Sequence, residues 1–321
     1  MEFRRIGPLE VSALGLGCNN FGRKLAQGES AEVVEAALDI GINLFDTADV
    51  YGYGDHRYSG RGRSEEYLGR AIGSLREEVI VATKFGNPMG GDDPAMQGGS
   101  RSWVHQACEG SLRRLGTDYI DLFQIHMPDQ NTPIAETLGA LTELVAEGKV
   151  RAIGCSNFTA PQLEEAESRS KESHLARFAS VQNEYSLLRR EAEQDVLPAC
   201  EKLDIAFLPY FPLASGLLTG KYRKGRAAPD GTRLSFWEPR PHLVLEADVL
   251  DRVENLTELA RTFGHTILEL AVSWLLARPQ VASVIAGATT PDQVRSNFEA
   301  ARWSISADDL SAIDARLGSV V

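Results

Sequence analysis

The chain has 321 residues, 43% of them hydrophobic and 24% charged, enough to bury a substantial core with no metal or disulfide staple. Its formal net charge of -12 argues against a nucleic-acid partner, because such binding rests on neutralising phosphates with Lys and Arg. Cys18, Cys108, Cys155 and Cys200 are scattered without a CxxC pair, the amino terminus lacks the apolar stretch of a signal peptide, and no apolar run reaches the roughly 18 residues of a membrane span; free thiols in the cytoplasm are the expectation.

Phe3–Ile6 and Leu9–Ser12, on either side of Gly7-Pro8, predict a small hairpin. Ala13–Gly17 predicts the first long-range strand, and Ser30–Ile40 a helix with Ser30 as N-cap. Strand and helix patterns then alternate. Ile42–Phe45 precedes a helix over Ser64–Ile72, Val79–Thr83 precedes Arg101–Leu115, and Tyr119–Ile125 precedes Pro133–Glu147. Arg151–Gly154 leads to Pro161–Arg169, Ser180–Gln182 to Glu191–Lys202, and Ile205–Leu208, after a long loop, to Asp248–Phe263. Ile267–Ala277 is a further helix before the last strand, Ala282–Ile285, and Pro291–Ala301 and Ala307–Leu317 finish the chain as helices. These alternations fit a (β/α)8 TIM barrel with an N-terminal hairpin at its floor better than a doubly wound sheet, and no linker divides residues 1–321 into more than one domain. Three irregular segments, 52–63, 86–100 and 210–247, follow strand ends, where long loops serve as lids or binding loops.

Three apolar runs end in polar residues. Ile42–Phe45 runs into Asp46 and, before a glycine-rich turn, Tyr51; Val79–Thr83 ends at Lys84, and Ile120–Ile125 at His126. In an α/β barrel the carboxyl ends of strands carry the active site. Singly, each residue has a plain structural reading: a salt bridge for Asp46 and Lys84, a satisfied core imidazole for His126, a packed ring for Tyr51. Together, in the segments FDTADVYG, VATKFG, DLFQIH, IGCSNF, VQNEYS and PLASGLLTGKY, they make the chain resemble the aldo-keto reductases over nearly its whole length.

That resemblance implies transfer of a hydride from a nicotinamide cofactor to an aldehyde or ketone. Tyr51 would be the proton donor, Lys84 and Asp46 the pair that tunes it, and His126 the polarising partner. A tyrosine with an ordinary pKa near 10 is a reluctant acid, and a neighbouring ammonium is expected to lower that value. Ser156, Asn157 and Gln182 would hold the carboxamide and Tyr210 would stack on the nicotinamide ring. Leu213, Ser215, Gly216, Leu218 and Lys221 would cover the pyrophosphate, and Gly287, Thr289, Gln293 and Asn297 would hold the adenosine end. The nearest approaches to a GxGxxG fingerprint, at Gly15–Asn20 and Gly52–Arg57, lack the third glycine, so a Rossmann site is unsupported.

Two features depart from the family pattern. Gly54–Gly62 is inserted after Tyr51 and carries His56, Arg57, Tyr58 and Arg61, either a solvated loop or a lid for anionic or polyhydroxylated ligands. The segment from Gly287 to Asn297 has no Lys and only Arg295 as a cation, although members that prefer NADPH commonly place a cation there; NADP(H) is still expected ahead of NAD(H), with Thr289, Thr290 and the following helix start receiving phosphate.

The six histidines show no metal-ligand spacing, so no metal is expected. The partner is a small carbonyl substrate, with Trp103, Phe211, Phe236 and Trp237 as candidate pocket residues; substrate identity and oligomeric state are not written in any motif. The alternative from another class is a nicotinamide-binding regulatory subunit with little turnover, since the family includes auxiliary subunits of potassium channels. It ranks second because no long extension precedes the first hairpin. A Schiff-base aldolase using Lys84 ranks third, because such a lysine suits an apolar or cationic setting and Asp46 supplies an anion.

Overall fold

A computed structural model describes residues 1–52, 61–90, 93–222 and 247–317. Strands β1 (Phe3–Ile6) and β2 (Leu9–Ser12) form the hairpin, with Gly7 at φ 53° in a turn that an L side chain resists. Eight parallel strands follow: β3 (Leu14–Gly17), β4 (Leu44–Asp46), β5 (Ile80–Phe85), β6 (Ile120–Ile125), β7 (Val150–Ser156), β8 (Ser180–Glu184), β9 (Ala206–Tyr210) and β10 (Val284–Gly287). They are ordered β10-β3-β4-β5-β6-β7-β8-β9, and the seam between the two ends is joined just before β10, where the Phe207 N–H donates to Gln280 O at 2.7 Å and the Ala282 N–H to Phe207 O at 3.0 Å. The fold is a (β/α)8 barrel.

Helices α1 (Gln27–Asp39), α2 (Arg63–Ile72), α3 (Arg101–Leu115), α4 (Ile134–Ala146), α5 (Ala160–Ser173), α6 (Val196–Leu203), α7 (Ala247–Thr262), α8 (Ile267–Leu276), α9 (Pro291–Ala300) and α10 (Ala307–Leu317) accompany the strands. Helix α1 starts earlier than Ser30 suggested. The Glu29 carboxylate accepts the Ala26 N–H at 2.8 Å, and Ser30 lies inside the helix, donating to Ala26 O.

The apolar interior has two parts. A large cluster fills the space between strands and helices, and a smaller one lies inside the barrel, where Leu44, Ala82, Leu122, Ala152, Leu208 and Ile285 meet Ile6, Leu9 and Val11 of the hairpin. The hairpin therefore plugs the floor. Arg4 fastens it there, donating to Val281 O at 2.6 Å and Leu276 O at 2.7 Å.

Strand side chains alternate between the two clusters. The residues that point inward two positions after the apolar layer are Asp46, Lys84, Gln124, Gly154, Tyr210 and Gly287, and Gln182 follows Ser180 in the same way. The upper barrel interior is polar for this reason, and several strands extend one or two residues further toward the mouth than their hydrophobicity indicates. The catalytic candidates Asp46 and Lys84 thus lie within β4 and β5, not beyond them.

Candidate active site

Lys84 is fully buried, and its ammonium donates to Asp46 Oδ2 at 2.6 Å and to Thr47 O at 2.9 Å. These bonds use two of its three N–H groups, and the Tyr51 ring lies beside the ammonium. Lys84 Nζ lies 5.1 Å from the centre of the Tyr51 ring, and the His126 ring meets Tyr51 edge-on with centroids 5.8 Å apart. The structure therefore brings the four sequence-predicted residues into one cluster.

The segment from Asp46 to Tyr51 is held from both sides. The Thr47 N–H donates to Ala82 O at 2.8 Å and the Asp49 N–H to Lys84 O at 3.0 Å, which extends the β5 contact past the end of β4. Thr47 Oγ1 and Ser64 Oγ lie 2.8 Å apart, and the Gly62 N–H donates to Tyr51 O at 3.1 Å, tying the segment to the start of α2. Beneath it, Glu65 accepts from Thr83 Oγ1 and from Arg114 Nε, both at 2.6 Å. Asp49 is buried beside this pair with neither carboxylate oxygen hydrogen-bonded; burial, and then the Glu65 charge, push its pKa well above the usual carboxylate range.

The electrostatics of Tyr51 differ in one respect from the sequence expectation. Burial raises the phenol above its ordinary value; Lys84 pulls it back, as expected, but Asp46 pushes it up again, and the net direction is upward. Tyr51 is a firmly protonated acid at neutral pH. Burial draws the Lys84 pKa down, but the Asp46 and Tyr51 interactions outweigh it, so this lysine stays charged. His126 is pulled down to about 3 by burial and then by Lys84, so its imidazole is neutral, with Nδ1 buried and unpartnered.

The residues expected at the nicotinamide form a continuous hydrogen-bonded row. Ser156 Oγ donates to Gln182 O at 2.7 Å; the Asn157 amide donates to His126 O and to Ser156 Oγ, each at 3.0 Å; and the Tyr210 hydroxyl donates to Asn157 Oδ1 at 2.7 Å. Asn157 adopts φ 63°, which turns the chain over the mouth. Three amide or hydroxyl side chains beside an aromatic ring fit a carboxamide-bearing heterocycle. Gln182 has a second partner that sequence reasoning missed: its Nε2 donates to Asp46 Oδ1 at 2.8 Å.

After Tyr210 the chain turns through Phe211, Ala214, Ser215 and Gly216, all with positive φ. The N–H groups of Ala214, Gly216 and Leu218 are taken up within this loop, by Phe211 O at 2.8 Å and by Leu213 O at 2.8 and 3.3 Å. Lys221 Nζ lies 2.8 Å from where a Cβ on Gly216 would sit, so a side chain at Gly216 would meet that ammonium. At the adenosine end, Gln293 Oε1 accepts from both the N–H (2.8 Å) and the hydroxyl (3.1 Å) of Thr289, Thr290 caps α9, and Asn297 is buried. Arg295 pairs with Asp292 at 3.2 Å. Asn20 Nδ2 donates to Ala288 O at 3.3 Å, joining the loop after β3 to this end.

Trp103 is buried in α3 and packs in the outer core, so it is not a pocket wall; Phe211 is partly exposed at the mouth. His56, Arg57, Tyr58, Phe236 and Trp237 lie outside the described residues. Among the described residues no helix is long and apolar enough to cross a membrane.

The sequence profile described as "Aldo/keto reductase family" matches residues 13–317. The chain is 34% identical to "Aldo-keto reductase YhdN" of Bacillus subtilis (strain 168), over 100% of this chain and 95% of that protein. It is 32% identical to "Protein tas" of Escherichia coli (strain K12), covering 98% and 97%. It is also 34% identical to "Probable voltage-gated potassium channel subunit beta" of Arabidopsis thaliana, covering 94% and 91%. With a family match across nearly the whole chain, on a barrel whose mouth gathers Asp46, Tyr51, Lys84 and His126, the chain belongs to the aldo/keto reductase family and is an NAD(P)H-dependent oxidoreductase acting on carbonyl groups.

Proposed function

We propose that the protein, acting as one barrel unit over residues 1–321, reduces small aldehydes or ketones with NADPH in the cytoplasm, and that Tyr51 is the proton donor. The observation that carries this is the buried Lys84 ammonium, bonded to Asp46 and Thr47 and set beside the Tyr51 ring, which leaves the phenol as the acid at the mouth of the barrel.

When bound, the cofactor supplies a hydride to the carbonyl carbon. Ser156, Asn157 and the Gln182 amide would hold its carboxamide, and the Tyr210 ring would pack against the nicotinamide. The neutral His126 holds the carbonyl oxygen by a hydrogen bond, without the competing charge an imidazolium would bring. Tyr51 gives its proton to that oxygen as negative charge develops on it, and Lys84 stabilises the phenolate left behind. Asp46 keeps Lys84 charged and aimed. The preference for NADPH rests on family habit and on Thr289, Thr290 and the α9 start; Arg295 is the cation of that segment, and its bond to Asp292 is exposed and easily exchanged.

The relatives named as potassium channel subunits support a second reading, a nicotinamide-binding regulatory subunit with little turnover. One experiment separates the two. Purified protein is mixed with NADPH or NADH and a panel of activated aldehydes and ketones, beside Tyr51→Phe, and loss of reduced-nicotinamide absorbance is followed together with cofactor binding. The reductase reading requires turnover that falls by roughly 100-fold or more in Tyr51→Phe while cofactor still binds, and the faster cofactor decides the preference. Equal binding with no turnover by either protein puts the regulatory reading first.

A further inference from the structure

Gln124 is fully buried on β6, beside Lys84 of β5 in the strand register and above Leu122 of the barrel's apolar interior. Its amide nitrogen is 3.5 Å from Asp46 Oδ1, at the outer limit of a hydrogen bond, and its Oε1 is buried with no partner. A leucine would fill similar space without stranding a carbonyl oxygen, so local stability does not account for a glutamine here. Polar groups that are poorly satisfied in a core belong to sites.

The Asp46 carboxylate shows what the site needs. Oδ2 is held by Lys84, whereas Oδ1 takes the Gln182 amide at 2.8 Å and the Gln124 amide at 3.5 Å. Gln182 lies next to the Ser156–Asn157 row through its own carbonyl oxygen, and the proposed function gives its amide to the cofactor's carboxamide. Among the described residues Gln124 is the other side-chain donor to Asp46 Oδ1. We propose that Gln124 is a positioning residue: it takes over Asp46 Oδ1 when Gln182 turns to the bound nicotinamide carboxamide, and so keeps the negative charge of Asp46 from reaching Tyr51 at the moment the proton is needed. This rests on the reading of Tyr51 as the acid.

The consequence has a sign. Without the Gln124 donor, Asp46 is a less neutralised anion near Tyr51, and phenolate forms at higher pH. The titratable groups facing this pair are Lys84 from β5, His126 after β6, Tyr210 from β9 and Cys18 after β3, and none of them is altered by the substitution.

The test is an ultraviolet difference titration of tyrosinate, each protein measured against the same protein carrying Tyr51→Phe, with and without NADP+. Gln124→Leu is expected to fold at least as stably as the parent. Its Tyr51 midpoint should rise by about one pH unit with cofactor bound and by clearly less without it. Reduction at neutral pH should lose roughly ten-fold in kcat with KM little changed. Gln124→Met, similar in length and also lacking the donor, should behave alike and guards against a packing effect peculiar to leucine. A midpoint that stays fixed in both variants, or that moves equally with and without cofactor, overturns the proposal. If Tyr51→Phe itself turns over at the parental rate, the underlying reading has failed instead, and the titration still reports whether Gln124 acts on that phenol.

Discussion

Two buried aspartates sit at opposite ends of the same barrel. Asp121, near the start of β6, accepts the Val81 N–H at 2.9 Å, Arg151 at 2.9 Å and Arg76 at 2.7 Å, and both guanidiniums stack on Tyr119 at 4.0 and 4.1 Å. Among the buried side-chain atoms of this lower cluster none lacks a partner. Asp46, at the end of β4, is surrounded by the opposite: Gln124 Oε1 and His126 Nδ1 are buried without partners. A saturated network fastens the fold, and an unsaturated one is poised to bind and react.

The sharpest way to break this contrast is to remove one charge from each end. Lys84→Met should lower kcat/KM by roughly 1,000-fold or more, since it strips Tyr51 of its cation and leaves Asp46 buried without its counter-charge. Asp121→Ala should leave kcat within about two-fold at temperatures where the protein is folded. If the two variants lose activity alike, the division between mouth and floor is wrong.

Stability should show the reverse emphasis for Asp121. Its loss strands two guanidiniums, but with side-chain exposures of 15% for Arg76 and 48% for Arg151 both have access to water. We therefore expect a cost of about 3 kcal/mol, at the low end for a broken buried pair, read as a shift in denaturant midpoint at unchanged slope.

A smaller effect follows from His126. Its folded-state pKa, about 3, lies below the unfolded value of 6.5, so unfolding takes up a proton in between. The stability it allows is complete above pH 6.5 and drains away as the pH falls toward 3. Allowing for its partial exposure, the loss at pH 5 should be about 1–2 kcal/mol, and His126→Leu should flatten that part of the pH–stability curve. Smallest of all, the exposed pair of Arg302 and Glu299 should contribute nothing measurable, and Arg302→Ala serves as the control whose denaturation midpoint does not move.

The sequence made the barrel legible because its strands are buried on both faces and read as continuous apolar runs, and the hairpin legible because Gly7-Pro8 interrupts two short ones. It misplaced strand ends where the inward face turns polar. Lys84 and Phe85 belong to β5, Ser156 to β7 and Tyr210 to β9, yet each lies beyond the run that signals a strand. The catalytic candidates could be named from motifs, but their energetics could not: whether Lys84 or burial prevails at Tyr51 depends on how tightly Asp46 holds the ammonium, a distance no motif states. The link from Gln182 to Asp46 joins β8 to β4 across the barrel, and Gln124 lies in a stretch that reads as ordinary strand. Both become visible only when the barrel is closed.

That closure carries a cost in time. Leu14 of β3 pairs with Val284 of β10, so the first and last barrel strands meet only after nearly the whole chain has been made. Until then β3 offers an open edge while the hairpin has no complete floor to plug. Contacts this distant in sequence slow folding, and an unpaired parallel edge invites association with other chains. On the ribosome, the segments up to β9 would emerge as an incomplete arc, and the protein would gain its active site and lose its exposed edges in the same late event.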